Sequence, residues 1–429
     1  MVDQSELAWR RLSRRYGAQL VYTPMINAKM FAEGARKPHR NQNFNIPMGE
    51  EGGPGDRPLI VQFCANDPDM LLAAAKIVEP HCDAVDINLG CPQEIARKGH
   101  YGSFLQDEWD LIYKLINILH ENLSIPVTAK FRVFPTVEKT VEYAKMLESA
   151  GAQVLTCHGR TREQRGQRSG LADWEKIRAV KQAVSVPIIA NGNVLFYDDI
   201  ERCLAATGAD AVMSAEGNLY NPAIFFSSAA SSSLEPTELS TWRITHGSGV
   251  HISSTQLALE YLEIVDSLAT PTSPSAVKGH LFKLLRPALA KETDLREQLG
   301  KVKFVKGKEK EAFANYDLIV RELQERMLRD AEAAEGRTLD ELIQIEPTCG
   351  LPVLPYWLAQ PYFRPQQVQQ ATFAVPAVEQ VAKINVPPAE PAAIDTDGAA
   401  TGKRTYCERT PEPDDLSKRI KLAPEVLAN

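Results

Sequence analysis

Residues 86–94 read DINLGCPQE: a short apolar run that closes on Asn88, turns at Gly90 and delivers Cys91 just ahead of Pro92. A strand followed by Gly-Cys-Pro puts a thiol on a tight turn at the strand's carboxyl end, the edge at which ligands react in parallel α/β folds. Outward from this motif lie further runs of strand length: AQLVYTPM (18–25), PLIVQF (58–63), DAVDIN (83–88), IPVTAKF (125–131), AQVLTCHG (152–159), VPIIANG (186–192) and ADAVMSAEG (209–217). Nearly continuous apolar runs suit strands buried on both faces. Between them, DEWDLIYKLINILHEN, TVEKTVEYAKMLESAG, WEKIRAVKQAV and FYDDIERCLAATG space their apolar residues as helices do, and several stop at Gly or before Pro. This alternation predicts a parallel α/β sheet closed into a TIM-type (β/α)8 barrel, with an open doubly wound sheet as the alternative. The runs supply seven strands, and the chain opens on SELAWRRLSRRYG, a helix-like segment of the kind that follows a strand. The expectation is a barrel lacking its first strand, either because that strand lies ahead of Met1 or because the barrel closes in an unusual way.

Composition narrows the chemistry. The chain has 429 residues, 44% of them hydrophobic, enough for a large core and two or three domains. A net charge of -7 argues against a uniformly basic coat, so any RNA site must be a local patch. Seven cysteines, Cys64, Cys82, Cys91, Cys157, Cys203, Cys349 and Cys407, form neither a disulfide framework nor zinc-type spacing. A reducing compartment and no metal are expected. No apolar run approaches the ~20 residues of a membrane span, and the expectation is a soluble, cytoplasmic monomer without membrane contact.

Each strand end carries a polar group: Gln62; Asn88 with Cys91; Lys130 with Arg132; His158 with Arg160 and Arg162; Asn191, Gly192 and Asn193; Glu216 and Gly217. In a barrel these converge on one face. Amides both donate and accept, matching the edge of a flavin or pyrimidine. A fixed cation such as Lys130 stabilises charge developing on a reduced flavin. The NGN and EG turns let backbone amides approach a phosphate. Taken singly, these residues have blander readings. Cys91 alone fits a structural thiol as well as a catalytic one, His158 alone a hydrogen-bonded core histidine, and NG and EG ordinary turns. Position at successive strand ends is what favours a site. Asp83 and Asp86 read as strand-end or turn residues.

The ordered motifs QFCANDP, DINLGCPQEIARKGHYGSFL, PVTAKFRVF, LTCHGRTREQRG, PIIANGN and MSAEGNLYNPAIF resemble those of the flavin-dependent tRNA dihydrouridine synthases, in detail the eukaryotic branch acting on uridines 16 and 17 of the D-loop. The resemblance covers about the first 290 residues. It implies an oxidoreductase that uses NADPH or NADH and FMN to reduce the C5=C6 bond of uridine. FMN would be held by Gln62, Lys130, His158, Asn191, Gly192, Asn193, Glu216 and Gly217. Cys91 would be the proton donor, and Asn88 and Arg132 would line the pocket. Thiols, with an ordinary pKa of ~8.5, are mostly protonated at neutral pH, as an acid requires. Two departures stand out. Family members carry a strand ending in Ala-Pro-Met-Val-Asp whose backbone touches the flavin, whereas here Met1 and Val2 open the chain. Many members have Gly-Arg where this chain has Glu216-Gly217, which leaves phosphate neutralisation to other groups. A small-molecule FMN reductase of the dihydroorotate dehydrogenase or ene-reductase type, and a non-catalytic RNA-binding relative, are the alternatives.

The organisation expected is a catalytic barrel over 1–226, a Ser/Thr-rich linker over 227–252, a helical tRNA-binding domain over 253–338 and a Pro-rich, mostly disordered tail over 339–429. SAVKGHLFKLLRPALAK places His280, Lys283 and Arg286 near one helical face, and Arg160 and Arg162 join them as candidate tRNA contacts. The turn GKVKFVKGKEK gathers Lys301, Lys303, Lys306, Lys308 and Lys310, which could neutralise phosphates. The basic cluster in SKRIKLAP adds a nuclear pool to the expected location.

Overall fold

The computed structural model describes residues 1–33, 37–166, 169–227, 243–305, 307–334, 336–347 and 350–362. A parallel sheet is its frame: β1 (Val21–Tyr22), β2 (Ile26–Asn27), β3 (Leu59–Cys64), β4 (Ala84–Leu89), β5 (Val127–Arg132), β6 (Val154–His158), β7 (Ile188–Asn191) and β8 (Ala211–Met213). Its order is β1-β3-β4-β5-β6-β7-β8, with β2 also on β3. Because β1 pairs with Leu59 and Ile60 while β2 pairs with Phe63 and Cys64, the two fill one position in the sheet. The run expected over 18–25 is therefore interrupted. Pro24 has no N–H to donate, and the Thr23 hydroxyl bridges the break by accepting from the Gln62 amide at 3.0 Å. Seven barrel positions are filled in order. Among the described residues β8 and β1 do not pair, so the curled sheet is open between them, where the seven-strand count leaves a gap.

Helices follow the strands and pack on the outer face. Asp67, Thr136 and Asp173 cap three of them, each side chain accepting from amides of the first turn. The apolar faces of Pro68–Val78, Trp109–Asn122, Val137–Ser149 and Trp174–Ala183 merge with the strands into one core. β3 is buried along its whole length, as its continuous apolar sequence requires.

A second core joins the barrel to the C-terminal region. Helix α1 (Leu7–Arg15) buries Ala8, Trp9 and Leu12 against Tyr261, Leu281 and their neighbours. Trp9 stacks on His280 with ring centroids 3.9 Å apart, and its indole N–H donates to the Asn218 side chain at 2.8 Å. On the opposite side of α1, Arg10 is buried in a bidentate bond to Asp56 (2.7 and 2.6 Å) and reaches Glu51 at 3.3 Å. The helical region comprises Ser254–Ser267, Pro274–Leu284, Arg286–Lys291, Thr293–Lys301 and Glu309–Ala333. No helix among the described residues is long and apolar enough to cross a membrane.

Two expectations need correction. Part of the stretch read as linker is folded: Arg243–His246 and Gly249–Ile252 form an antiparallel hairpin, the second strand buried. The segment after Ile345 also packs: Leu354, Trp357, Leu358 and Ala359 lie in the second core, and the Ala359 amide donates to the Ile252 carbonyl at 2.9 Å. Residues 228–242, Lys306, Cys349 and everything from 363, including Cys407 and SKRIKLAP, lie outside the described residues.

Removing one partner of a buried ion pair strands the other, at a cost of about 3–5 kcal/mol. Asp56→Ala should therefore lower stability by about that amount in denaturant titration, whereas an exposed pair such as Arg321–Asp317 should contribute under about 1 kcal/mol.

Candidate active site

Strand register assembles the site. Gln62 pairs with Asp86, Asn88 with Lys130, Arg132 with His158, and His158 with Asn191. Parallel strands keep paired residues on the same face, so these side chains meet at the carboxyl end of the sheet. The Gln62 amide donates to Asp86 at 2.9 Å and accepts from Asn88 at 2.8 Å. The Lys130 ammonium donates to the Asn191 side chain at 3.0 Å, whose own amide donates to the Met213 carbonyl at 2.8 Å. Two hydrogen-bonded groups thus line the edge, one on β3 and β4 and one running from β5 through β7 to β8.

The thiol turn is held from several sides. The Asn88 side-chain oxygen accepts from the amides of Gly90 (3.1 Å) and Cys91 (2.9 Å). The Cys91 carbonyl accepts from the Ser103 amide (3.1 Å) and hydroxyl (2.9 Å). Gly102 makes that approach possible: with φ +67°, any Cβ there would sit 2.8 Å from the Cys91 carbonyl oxygen. Arg132 clamps the other side, donating to the Gly90 carbonyl at 2.8 Å and to the carbonyls of Thr161 and Gln164. Cys91 itself remains partly exposed.

The electrostatics are lopsided. Burial, then the neighbouring Arg132, pulls the Lys130 ammonium down to about 8. Burial and Arg160 likewise lower the Arg132 guanidinium to about 10. His158 is driven well below its ordinary range by burial and then by Lys130, Arg132 and Arg160, so its ring is neutral at pH 7. Against these stands Asp86, fully buried, bonded to Thr128 at 2.6 Å, its carboxyl raised by burial to about 6. Three cations around the neutral His158 ring, with Asp86 in the field of Lys130 alone, favour an anionic ligand at this site. A flavin nucleotide fits it: a dianionic phosphate and a ring that gains negative charge on reduction both relieve the excess, and the amides of Gln62, Asn88 and Asn191 can pair with a ring edge.

The remaining residues named from sequence divide into two groups. Gly192 has φ +115°, and a Cβ there would lie 2.7 Å from Ala172 and 3.1 Å from the His158 ring, so only glycine closes this turn. Asn193 sits in the left-handed region at φ 63° and accepts from Arg160 and from the Ala172 amide. Glu216 and Gly217 begin the short helix after β8. Met1 lies within the field of Lys130 and Cys91, whereas Val2 is exposed. Arg162 reaches Asp107 and the Ser103 carbonyl, both at 3.3 Å.

His280, Lys283 and Arg286 do not form one face. His280 is fully buried, its Nε2 3.0 Å from Glu6, because packing against α1 sets the orientation of its helix. It holds the second core together and is withdrawn from the surface contacts expected of it. Lys283 is half-buried near Glu216, and only Arg286 is exposed, its guanidinium 3.6 Å from the Tyr362 ring centroid. In the lysine-rich turn, Lys301, Lys308 and Lys310 pair with Glu297, Glu311 and Asp266, and Lys303 is exposed.

Asp86, expected at a strand end or turn, is instead buried within the hydrogen-bonded group on β3 and β4, and Ser103 supports the thiol turn. Period-two polarity carries the missing signal: Asp86 and Asn88, Thr128, Lys130 and Arg132, and Thr156 and His158 each alternate on one strand face, which marks a polar interior. For Ser103 no such local signal exists; its role comes from the return of the chain beneath the turn.

Residues 1–321 match the family model described as Dihydrouridine synthase (Dus). Among similar curated proteins, the tRNA-dihydrouridine(16/17) synthase [NAD(P)(+)] of Saccharomyces cerevisiae is 47% identical over 379 residues, covering 85% of this chain and 82% of its own. Its Schizosaccharomyces pombe counterpart is 45% identical, covering 87% and 88%. The tRNA-dihydrouridine(20a/20b) synthase [NAD(P)+]-like protein of Homo sapiens is 37% identical but covers 52% of this chain.

Lys130 in its buried setting should cost stability. Its folded pKa of about 8 lies below the ~10.5 expected of an unfolded lysine, so the folded state binds protons less tightly. The penalty is full below pH 8 and fades as pH rises toward 10.5. Lys130→Met should stabilise the protein by on the order of 1–3 kcal/mol at pH 7, with the gain shrinking above pH 8, in thermal melts across that range.

Proposed function

The chain belongs to the dihydrouridine synthase family, and from that premise we propose that it reduces uridines 16 and 17 in the D-loop of tRNA with NADPH or NADH as reductant. FMN, when bound and reduced by NADPH or NADH, would supply the hydride for C6 of the uracil. Gln62, Lys130, His158, Asn191, Gly192, Asn193 and the backbone of Glu216 and Gly217 are the residues assigned to hold that cofactor, with the backbone of Met1 and Val2 at its edge. Asn88, Arg132, Arg160 and Arg162 are assigned to the uracil and its flanking chain.

The proton comes from Cys91. Asn88, Ser103 and Arg132 fix the turn on which the thiol stands, so the S–H is presented without searching rotations of the backbone. Delivering that proton to C5 as the hydride reaches C6 avoids an enolate left free in the pocket. Lys130 holds a positive charge at the site throughout, which favours negative charge accumulating beside it. The neutral His158 ring can accept or donate one hydrogen bond without adding to the excess of cations. The observation that carries this reading is the partly exposed thiol, pinned by Asn88, next to the Lys130–Asn191 bond.

The target base must leave its stack to reach a barrel mouth, which costs least in a single-stranded loop. Arg286 and the exposed lysines of the helical region are the surface assigned to tRNA phosphates. The relatives' names favour this reading over a small-molecule reductase or a non-catalytic RNA-binding relative. We place the enzyme in the cytoplasm, with a nuclear pool, as a monomer.

Cys91→Ala should retain FMN and continue to oxidise NADPH, while dihydrouridine formation falls by about 10²-fold or more. Normal turnover of tRNA by this variant, followed by mass spectrometry of the digested RNA, would falsify the assignment of Cys91 as the acid.

A further inference from the structure

The loop after β8, Ser214 to Tyr220, carries no cation of its own. In barrel folds phosphates are held at the loops after strands 7 and 8. Here those loops are tied together by the Asn191 amide, which donates to Met213 at the end of β8. The first side chain after that point with a formal charge is Glu216, exposed, and its carboxylate would repel a phosphate dianion. Arg160 reaches the loop after β7 through Asn193, but a cation on the β8 side must come from elsewhere in the chain.

The helical region supplies one. Helix Pro274–Leu284 packs against the Glu216–Tyr220 segment and carries Lys283 into the field of Glu216. The lysine is half-buried, and its Nζ makes only a long bond of 3.4 Å to the Gly279 carbonyl. The amine lies close to Gly279, where a Cβ would sit 3.9 Å from Nζ and 3.2 Å from the Gln4 amide. Burial disfavours the ammonium and Glu216 only partly restores it, so an arriving dianion would find an under-compensated charge.

We propose that Lys283, reaching across from the helical region, binds the phosphate of the flavin nucleotide at the β7–β8 loops, with Glu216 as its partner in the flavin-free protein. The inference rests on the reading of the chain as an FMN enzyme. It moves Lys283 from the RNA surface to the cofactor site and makes the helical region part of what retains the flavin. The ligand class is specific: a phosphomonoester dianion on a planar ring, as distinct from the same ring without phosphate.

The test compares FMN with riboflavin, which differ by that phosphate alone. Flavin-free wild type, Lys283→Met, Lys283→Arg and Glu216→Gln are titrated with each flavin by fluorescence quenching. Wild type should prefer FMN. Lys283→Met should lose about tenfold in FMN affinity with riboflavin affinity changed by less than about twofold, a charge-assisted bond being lost. Lys283→Arg should keep most of the preference, and Glu216→Gln should tighten FMN while leaving riboflavin alone. Riboflavin binding by Lys283→Met reports an intact fold, so misfolding cannot imitate the result. An unchanged FMN-to-riboflavin ratio in Lys283→Met overturns the inference alone, and weakened binding of a tRNA transcript with that ratio intact returns Lys283 to the RNA surface. Wild type that binds neither flavin overturns the proposed function and this inference together.

Discussion

Parallel register between neighbouring strands is the constraint on which everything else rests. Asn88 opposite Lys130, Arg132 opposite His158 and His158 opposite Asn191 bring polar groups from four strands to one edge. A slip of one residue in any pair would turn its side chains to the other face of the sheet. The apolar residues between them enforce the register, because Ile87, Ala129, Phe131, Leu155 and Cys157 have no solvent-exposed alternative once the outer helices pack. Site geometry is thus set by core packing, with the functional groups carried along.

That packing also sustains an unfavourable electrostatic arrangement. Lys130, Arg132 and Arg160 crowd around His158, only Lys130 lies in the field of Asp86, and both Lys130 and Arg132 are held below their ordinary ranges. Such strain persists where the surrounding fold over-determines it. Here two cores do so: the barrel core under the strands and the second core in which α1 joins the helical region through Trp9, Tyr261 and His280. The second core also places helix Pro274–Leu284 beside the end of β8, so the domain assigned to RNA lies within reach of the cofactor assigned to the barrel.

Much of this is legible in the sequence. Continuous apolar runs locate all the barrel strands described, because burial on both faces leaves little room for polar residues along them. Strand-end polar residues locate most of the site. What escapes is set by distant contacts. His280 looks like a surface neighbour of Lys283 at helical spacing, yet the side it buries is decided by Glu6, 274 residues away. Asp86 looks like a turn residue because a single position does not reveal which face it occupies; its alternation with Asn88 does. The hairpin of residues 243–252 hides in a Ser/Thr-rich stretch, although Gly247-Ser248 between two β-prone runs is the turn signal that marks it. The break at Pro24 is legible too, since a residue without an N–H cannot extend the ladder.

The central claim is that this carboxyl-edge constellation reduces a uridine in tRNA. Its most direct test is to incubate the purified, FMN-loaded chain with NADPH and an unmodified tRNA transcript, then map the mass of each nucleotide of the D-loop. The account predicts a gain of two hydrogens at uridine 16, uridine 17 or both, dependent on NADPH. A flavin-loaded chain that oxidises NADPH yet leaves every D-loop uridine unchanged would contradict it.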